Sequence, residues 1–230
     1  MANQRLDRNG IKRILMLFAF LLLIQFVLTI SSGDLLWWNA WVFIGGYSLW
    51  LCVIFIVMIK VNPNLLNERG KKHEDTKPFD RIVLIVYAVL FISVPVVAGM
   101  DHRFEISSVP GLISVLAILL TIPVFSLVLW AFIVNNHFET TVRIQNDREH
   151  QVCSDGPYRL IRHPTYLAAI VGFVLIPIIL GTLLALIPCL MMAILFIIRT
   201  KFEDNTLLEE LEGYKEYSQS TRYRLIPGVW

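Results

Sequence analysis

The chain has 230 residues, 56% of them hydrophobic and only 17% charged, with a formal net charge of +2. Soluble domains carry about 45–50% apolar and about 25% charged residues, so this composition excludes an ordinary soluble domain, a disordered chain and a disulfide scaffold. The small net charge does not suit a nucleic-acid binder, and an integral membrane protein remains.

In chain order, a basic N-terminal segment precedes an apolar run over 14–30. That run is longer than the roughly 7–15 residues of a signal-peptide core, which favours a retained helix. Trp37, Trp38 and Trp41 then read as an interfacial aromatic belt at the start of a second run, 41–59. Segment 60–81 holds Pro63, Pro78 and many charges, and reads as a solvated loop touching anionic lipid headgroups. Further runs cover 82–100 and 109–134; each suits a core of about 30 Å, which takes roughly 20 residues of helix. The last apolar stretch, 166–198, is too long for one span and has Gly181 near its middle, so it predicts a tight hairpin of two short helices. Pro95, Pro123, Pro177 and Pro188 fall inside these runs, where membrane helices tolerate proline. The expectation is an all-α, polytopic membrane helix bundle with about six spans.

Charge supports that count. Of the 20 Lys and Arg residues, all but Arg103 fall in the N-terminal segment and in 60–81, 135–165 and 199–230. These are alternate loops of a six-span chain, so the positive-inside rule puts both termini in the cytoplasm. The host membrane is then a bacterial or archaeal plasma membrane or the endoplasmic reticulum. Cys52, Cys153 and Cys189 are scattered and predict no disulfide framework.

Polar residues concentrate in two stretches that flank the hairpin, 135–166 and 199–230. A short hairpin returns both to one membrane face, so they should meet. The first ends in Gly156-Pro157-Tyr158-Arg159-Leu160-Ile161-Arg162-His163-Pro164-Thr165-Tyr166. Gly-Pro is a turn signal. His163 precedes a proline and is pushed out of the helical region, while Pro164 suits the first position of a helix. A helix N-terminus beside His163 favours an anionic group, and Tyr158 and Tyr166 offer faces for stacking or for a cation. In the second stretch, Arg199 and Glu203 are four apart and share a helix face; they form a surface ion pair or each take an outside partner. His150 and Cys153 have a zinc-like spacing, but no Cys-x-x-Cys or paired histidine accompanies them, so no metal is expected.

The run 156–166 resembles the signature of the isoprenylcysteine carboxyl methyltransferase family of membrane proteins, relatives of the phospholipid methyltransferases. The similarity continues at Arg199 and Glu203, then Leu207, Gly213-Tyr214, Tyr217 and Arg224-Leu225-Ile226-Pro227. It covers roughly 135–230. The resemblance implies S-adenosylmethionine as methyl donor and a lipophilic or prenylated acceptor reached from the bilayer, with no metal and no nucleic acid. It places His150, Gln151, Val152, Cys153, Tyr158, His163, Pro164, Thr165, Tyr166 and Glu203 at the cofactor and Arg199 at the substrate, as the catalytic residue. Gln145 is a further cofactor candidate. Two departures stand out: Glu203-Asp204 replaces adjacent glutamates, and Gln151-Val152-Cys153-Ser154 replaces the more usual Leu-Val-Thr after His150. Residues 1–134 then form an acceptor-selecting part and 135–230 a methyltransferase core. Two other activities compete with carboxyl O-methylation: amine or phospholipid N-methylation, and an NADPH-dependent sterol-type reduction, because sterol reductases end in a similar Arg-His-x-x-Tyr block. A non-catalytic protein keeping the fold is the third alternative. Tyr158, His163, Arg199 and Glu203 are expected to wall one pocket.

Overall fold

A computed structural model describes residues 5–230. Among these residues the regular structure is helical: α1 (Arg8–Ser32), α2 (Trp38–Val61), α3 (Pro63–Glu68), α4 (Pro78–Arg103), α5 (Gly111–Val134), α6 (Pro164–Leu180), α7 (Leu186–Glu210) and α8 (Tyr214–Ser220). Helices α1, α2, α4 and α5 have 24 to 26 residues, about 36 Å or more at 1.5 Å per residue. That is enough to cross a hydrocarbon core. In their most apolar stretches only 11 to 33% of residues are buried inside the protein. The remaining apolar surface faces outward, as lipid allows and water does not.

The last apolar stretch forms two helices. Helix α6 stops at Gly181, whose φ of 79° is the left-handed cap that glycine tolerates. Thr182 N–H donates to the Pro177 carbonyl at 3.0 Å, closing the turn. Helix α7 does not end with its apolar run. It continues through Arg199 and Glu203 to Glu210, so those two residues stand on one continuous helix that begins in the hairpin.

Close packing joins the front helices to the back. Gly99 on α4 lies against α1: a Cβ there would stand 1.8 Å from Ser31 Oγ. Ser31 Oγ in turn donates to the Pro95 carbonyl at 3.0 Å. Phe173, Leu180, Met192 and Phe196 of the hairpin share a core with Leu28, Phe43 and Ala98.

Segment 60–81 is more than a solvated loop. Asn62 caps α3 by accepting from Leu65 N–H at 3.1 Å, and Pro63 fills the first helical position. Leu65 and Leu66 are buried; this apolar pair outweighs the charges around it. The aromatic belt also needs correction. Trp38 and Trp41 are exposed, but Trp37 is buried and stacks on His102 at 4.4 Å.

Candidate functional site

A cleft of about 780 Å³, its mouth included, opens where the two polar stretches meet. Of the residues singled out by sequence, His150, Gln151, Val152, Cys153, Tyr158, His163, Thr165, Tyr166 and Glu203 line it, as does Gln145. Pro164 and Arg199 do not.

A buried carboxylate holds the two stretches together. Asp204, fully buried, takes the Arg162 fork through Nε at 2.8 Å and Nη2 at 2.9 Å. It also accepts from Tyr214 Oη at 2.8 Å and Arg224 Nε at 2.7 Å, and lies 3.2 Å from His163 Nε2. Burial alone would raise its pKa, but the hydrogen bonds from His163 and Arg162 prevail and hold it well below the usual carboxylate range. The tail closes over the motif: Arg162 N–H donates to the Tyr223 carbonyl at 2.9 Å and His163 N–H to the Arg224 carbonyl at 3.0 Å. His163 has φ −127° and ψ 63°, outside the helical region, as the following proline requires.

Tyr158 sits at the back. Gly156, at φ 57°, lets the preceding turn press on Trp130, where a Cβ would be 2.8 Å from Nε1. Tyr158 Oη accepts from Asn135 Nδ2 at 3.0 Å, and its carbonyl accepts from Tyr217 Oη at 2.7 Å. Tyr214 and Tyr217 both reach the cleft from α8, through the Gly213-Tyr214 and Tyr217 positions of the motif.

One wall offers a bare edge. No hydrogen bond among the described residues uses the backbone N–H or C=O of Gln151, Val152 or Cys153. Gln151 is exposed and Val152 and Cys153 are half-buried, so these groups are open to water or to a ligand. His150, beside this edge, packs on His137 with ring centroids 4.9 Å apart. Burial pushes His150 down to about 4, with the charges of His137, Arg143 and Arg148 adding to the effect, so the ring is neutral at pH 7. The Gln145 amide is already engaged: Nε2 donates to the His137 carbonyl at 2.5 Å and Oε1 accepts from Arg148 Nη1 at 2.8 Å.

Glu203 accepts from Tyr166 Oη in a short hydrogen bond. The Tyr166 ring stacks on His163, with planes 9° apart, and the Arg199 guanidinium lies 5.3 Å from its centroid. Arg199 is 6% exposed. Its fork is taken by Asp80 of α4, which accepts from Nε at 2.8 Å and Nη2 at 3.2 Å. Nη2 also donates to the Thr140 carbonyl at 2.8 Å. Of the two alternatives for Arg199 and Glu203, the surface ion pair between them is not the arrangement here: Arg199 pairs inward with Asp80. Sequence reading missed Asp80 altogether. Its only signal is an acid in the first turn of a helix, where the dipole favours one.

One group among the described residues has metal-ligand spacing: Glu68, His73 and Glu139 place ligand atoms within 4.8 Å of one another. Glu139 is already gripped by Arg143, whose Nε and Nη2 each lie 2.9 Å from a carboxylate oxygen.

Residues 114–209 match the family model of the isoprenylcysteine carboxyl methyltransferase (ICMT) family. The resemblance read from the motif thus holds over those residues, from within α5 to near the end of α7. No curated protein matches the chain.

Proposed function

We propose that this chain is an integral-membrane, S-adenosylmethionine-dependent methyltransferase acting on a lipophilic carboxylate, such as a prenylcysteine-like molecule. Four long apolar helices and the family match over 114–209 support the coarse reading, a membrane methyltransferase. The observation that carries the finer one is the unpaired backbone edge of Gln151–Cys153, in one cleft with neutral His150 and the Glu203 carboxylate.

These residues fit the cofactor's chemistry. A purine edge needs backbone donors and acceptors, which 151–153 supply. A sulfonium and an ammonium need a carboxylate and aromatic faces, which Glu203, Tyr158 and Tyr166 supply. Pro164 and Thr165 start α6, where Tyr166 and Leu167 N–H donate to the His163 carbonyl and Thr165 N–H is left to meet a carboxylate. The bound cofactor would supply an electrophilic methyl group for in-line displacement.

The protein's own part is to hold and to dry. An acceptor carboxylate is already anionic, so no general base is needed. Proximity and orientation contribute about 7–11 kcal/mol in favourable cases. Arg199 would meet the acceptor through Nη1, since Nε and Nη2 are held by Asp80 and Thr140. Asp80 and the Tyr166 ring fix the guanidinium's plane, so little freedom is lost on binding. Residues 135–230 would carry the transfer and 1–134 would select the acceptor, with the cleft and both termini on the cytoplasmic side, as the Lys and Arg distribution requires. Residues 1–4 lie outside the described structure.

Arg199→Ala is expected to abolish methyl transfer while S-adenosylmethionine affinity stays within about threefold, because Arg199 does not line the cleft. Equal loss of both would reassign it. Glu203→Ala is expected to weaken cofactor binding about tenfold or more, the worth of a hydrogen bond to a charged group; unchanged affinity would remove Glu203 from the cofactor's site. Titration with S-adenosylmethionine and with NADPH separates transferase from reductase. Because Asp80 neutralises Arg199, an amine acceptor is the second reading. Purified protein, labelled methyl donor and a membrane lipid extract decide between them: a base-labile product is an ester, a stable one an amine.

A further inference from the structure

Among the described residues, Arg69 and Arg13 have no carboxylate within salt-bridge distance. Arg69 follows α3, and its guanidinium lies 4.9 Å from the ring centroids of both Phe132 and Phe138. Its one polar contact among the described residues is long, from Nη1 to the Phe138 carbonyl at 3.4 Å. Arg13 comes from α1, which is drawn tightly onto the end of α3. Asp7 N–H donates to Asn67 Oδ1 at 2.9 Å, and a Cβ on Gly70 would stand 2.2 Å from the Asn9 carbonyl oxygen. Arg13 Nε is buried without a hydrogen-bond partner.

Among the described residues no carboxylate pairs with either guanidinium. Glu139, whose charge reaches Arg69, is held by Arg143. Burial pushes Arg69 down to about 9, and the charge of Arg13 pushes the same way. Two like charges, partly dehydrated and with no carboxylate in contact, are unfavourable as they stand. The aromatic rings explain why the Arg69 plane lies where it does, but a ring face leaves the N–H groups unused.

We infer that Arg69 and Arg13 form a binding site for the anionic headgroup of a tail-bearing molecule. Guanidinium N–H groups match a carboxylate or a phosphodiester by paired hydrogen bonds, and the two anions share that chemistry. The tail follows from the surroundings. Met16, one turn along α1 from Arg13 and on the same side of the helix, is exposed, so an acyl or prenyl chain would leave the headgroup past that side chain. Phe138 also lines the main cleft, which sets this site one ring away from it. The inference does not require the chain to transfer methyl groups.

The test uses the full chain in dodecyl maltoside micelles, with phosphatidylglycerol and oleate as anionic probes and phosphatidylcholine as the zwitterionic control. Binding is read as the shift of the thermal unfolding midpoint and as a dissociation constant. At least one anion is expected to stabilise the wild type more than phosphatidylcholine does, and Arg69→Gln to bind that anion about tenfold more weakly. Preference for phosphatidylglycerol names a membrane phospholipid as the occupant; preference for oleate names a carboxylate. A wild type that responds to neither anion beyond the control overturns the inference, as does an Arg69→Gln protein that binds as tightly as wild type. Should Arg69→Gln fail to fold, Arg13→Gln, which leaves the Arg69 contacts with both rings intact, is read the same way, and wild-type affinity there also overturns it.

Discussion

Helix α4 carries a fully buried carboxylate near each end, and the two are satisfied in opposite ways. Asp101, at the far end, accepts only from neutral groups: Ser107 N–H at 2.8 Å, Ser107 Oγ at 2.6 Å and Leu184 N–H at 2.9 Å. It ties the turn between α6 and α7 to the loop between α4 and α5. Asp80, at the cleft end, accepts from Val142 N–H at 2.8 Å and from the Arg199 fork. Arg199 lies over the Tyr166 ring, and Tyr166 donates to Glu203 inside the cleft. A disturbance at Asp80 therefore reaches the cleft through two contacts, whereas Asp101 lies about 30 Å along the helix from it. Burial of a charge does not by itself mark function. What matters is the group that the charge positions.

Mutating the two carboxylates tests this difference. Asp80→Ala leaves Arg199 buried without its partner, a change that costs about 3–5 kcal/mol. Unfolding in micelles should show that loss, and methyl transfer should fall to background. Asp80→Asn keeps the shape and some hydrogen bonds, so it should fold better than the alanine variant while turnover stays depressed. Asp101→Ala should cost less, about 1.5–3 kcal/mol for hydrogen bonds to a charged group, and the folded fraction should turn over normally with unchanged cofactor affinity. If Asp101→Ala depresses turnover in folded protein as Asp80→Asn does, the two ends of α4 are not functionally distinct.

Much of the fold was legible because each span repeats one physical demand, about 20 apolar residues between charged loops. The hairpin was legible from Gly181, and the motif from the Gly-Pro and His-Pro steps, whose backbone limits act locally. Asp80 was not. It stands next to an apolar run, looks like an ordinary first-turn acid, and meets Arg199 across 119 positions. Asp204 was legible only as a stand-in for glutamate. Its partners Arg162, His163, Tyr214 and Arg224 come from separate segments, so its role as the hub appears only once the chain is folded. Leu65 and Leu66 were hidden among charges, and with them the helix that brings Arg69 near the cleft.

The smallest expected effect concerns the histidines, which also differ between the two ends. His102, at the far end, lies 3.1 Å from a carboxylate oxygen of Asp34. His150, in the cleft, is pushed from 6.5 down to about 4 mainly by burial, with the charges of His137, Arg143 and Arg148 adding to it. A histidine whose folded pKa is lowered binds its proton more readily in the unfolded chain. Its contribution is thus fully present above pH 6.5 and is lost as the pH drops from 6.5 towards 4. Unfolding midpoints should fall in that window, and His150→Gln, which cannot take a proton, should flatten the slope without erasing it. Cofactor affinity should be level across most of the same window, because the folded ring stays neutral until the pH approaches 4. An affinity that instead drops around pH 6.5 would mean that the His150 ring is wetter than its packing against His137 implies, and that the cleft end is less sealed than the Asp101 end.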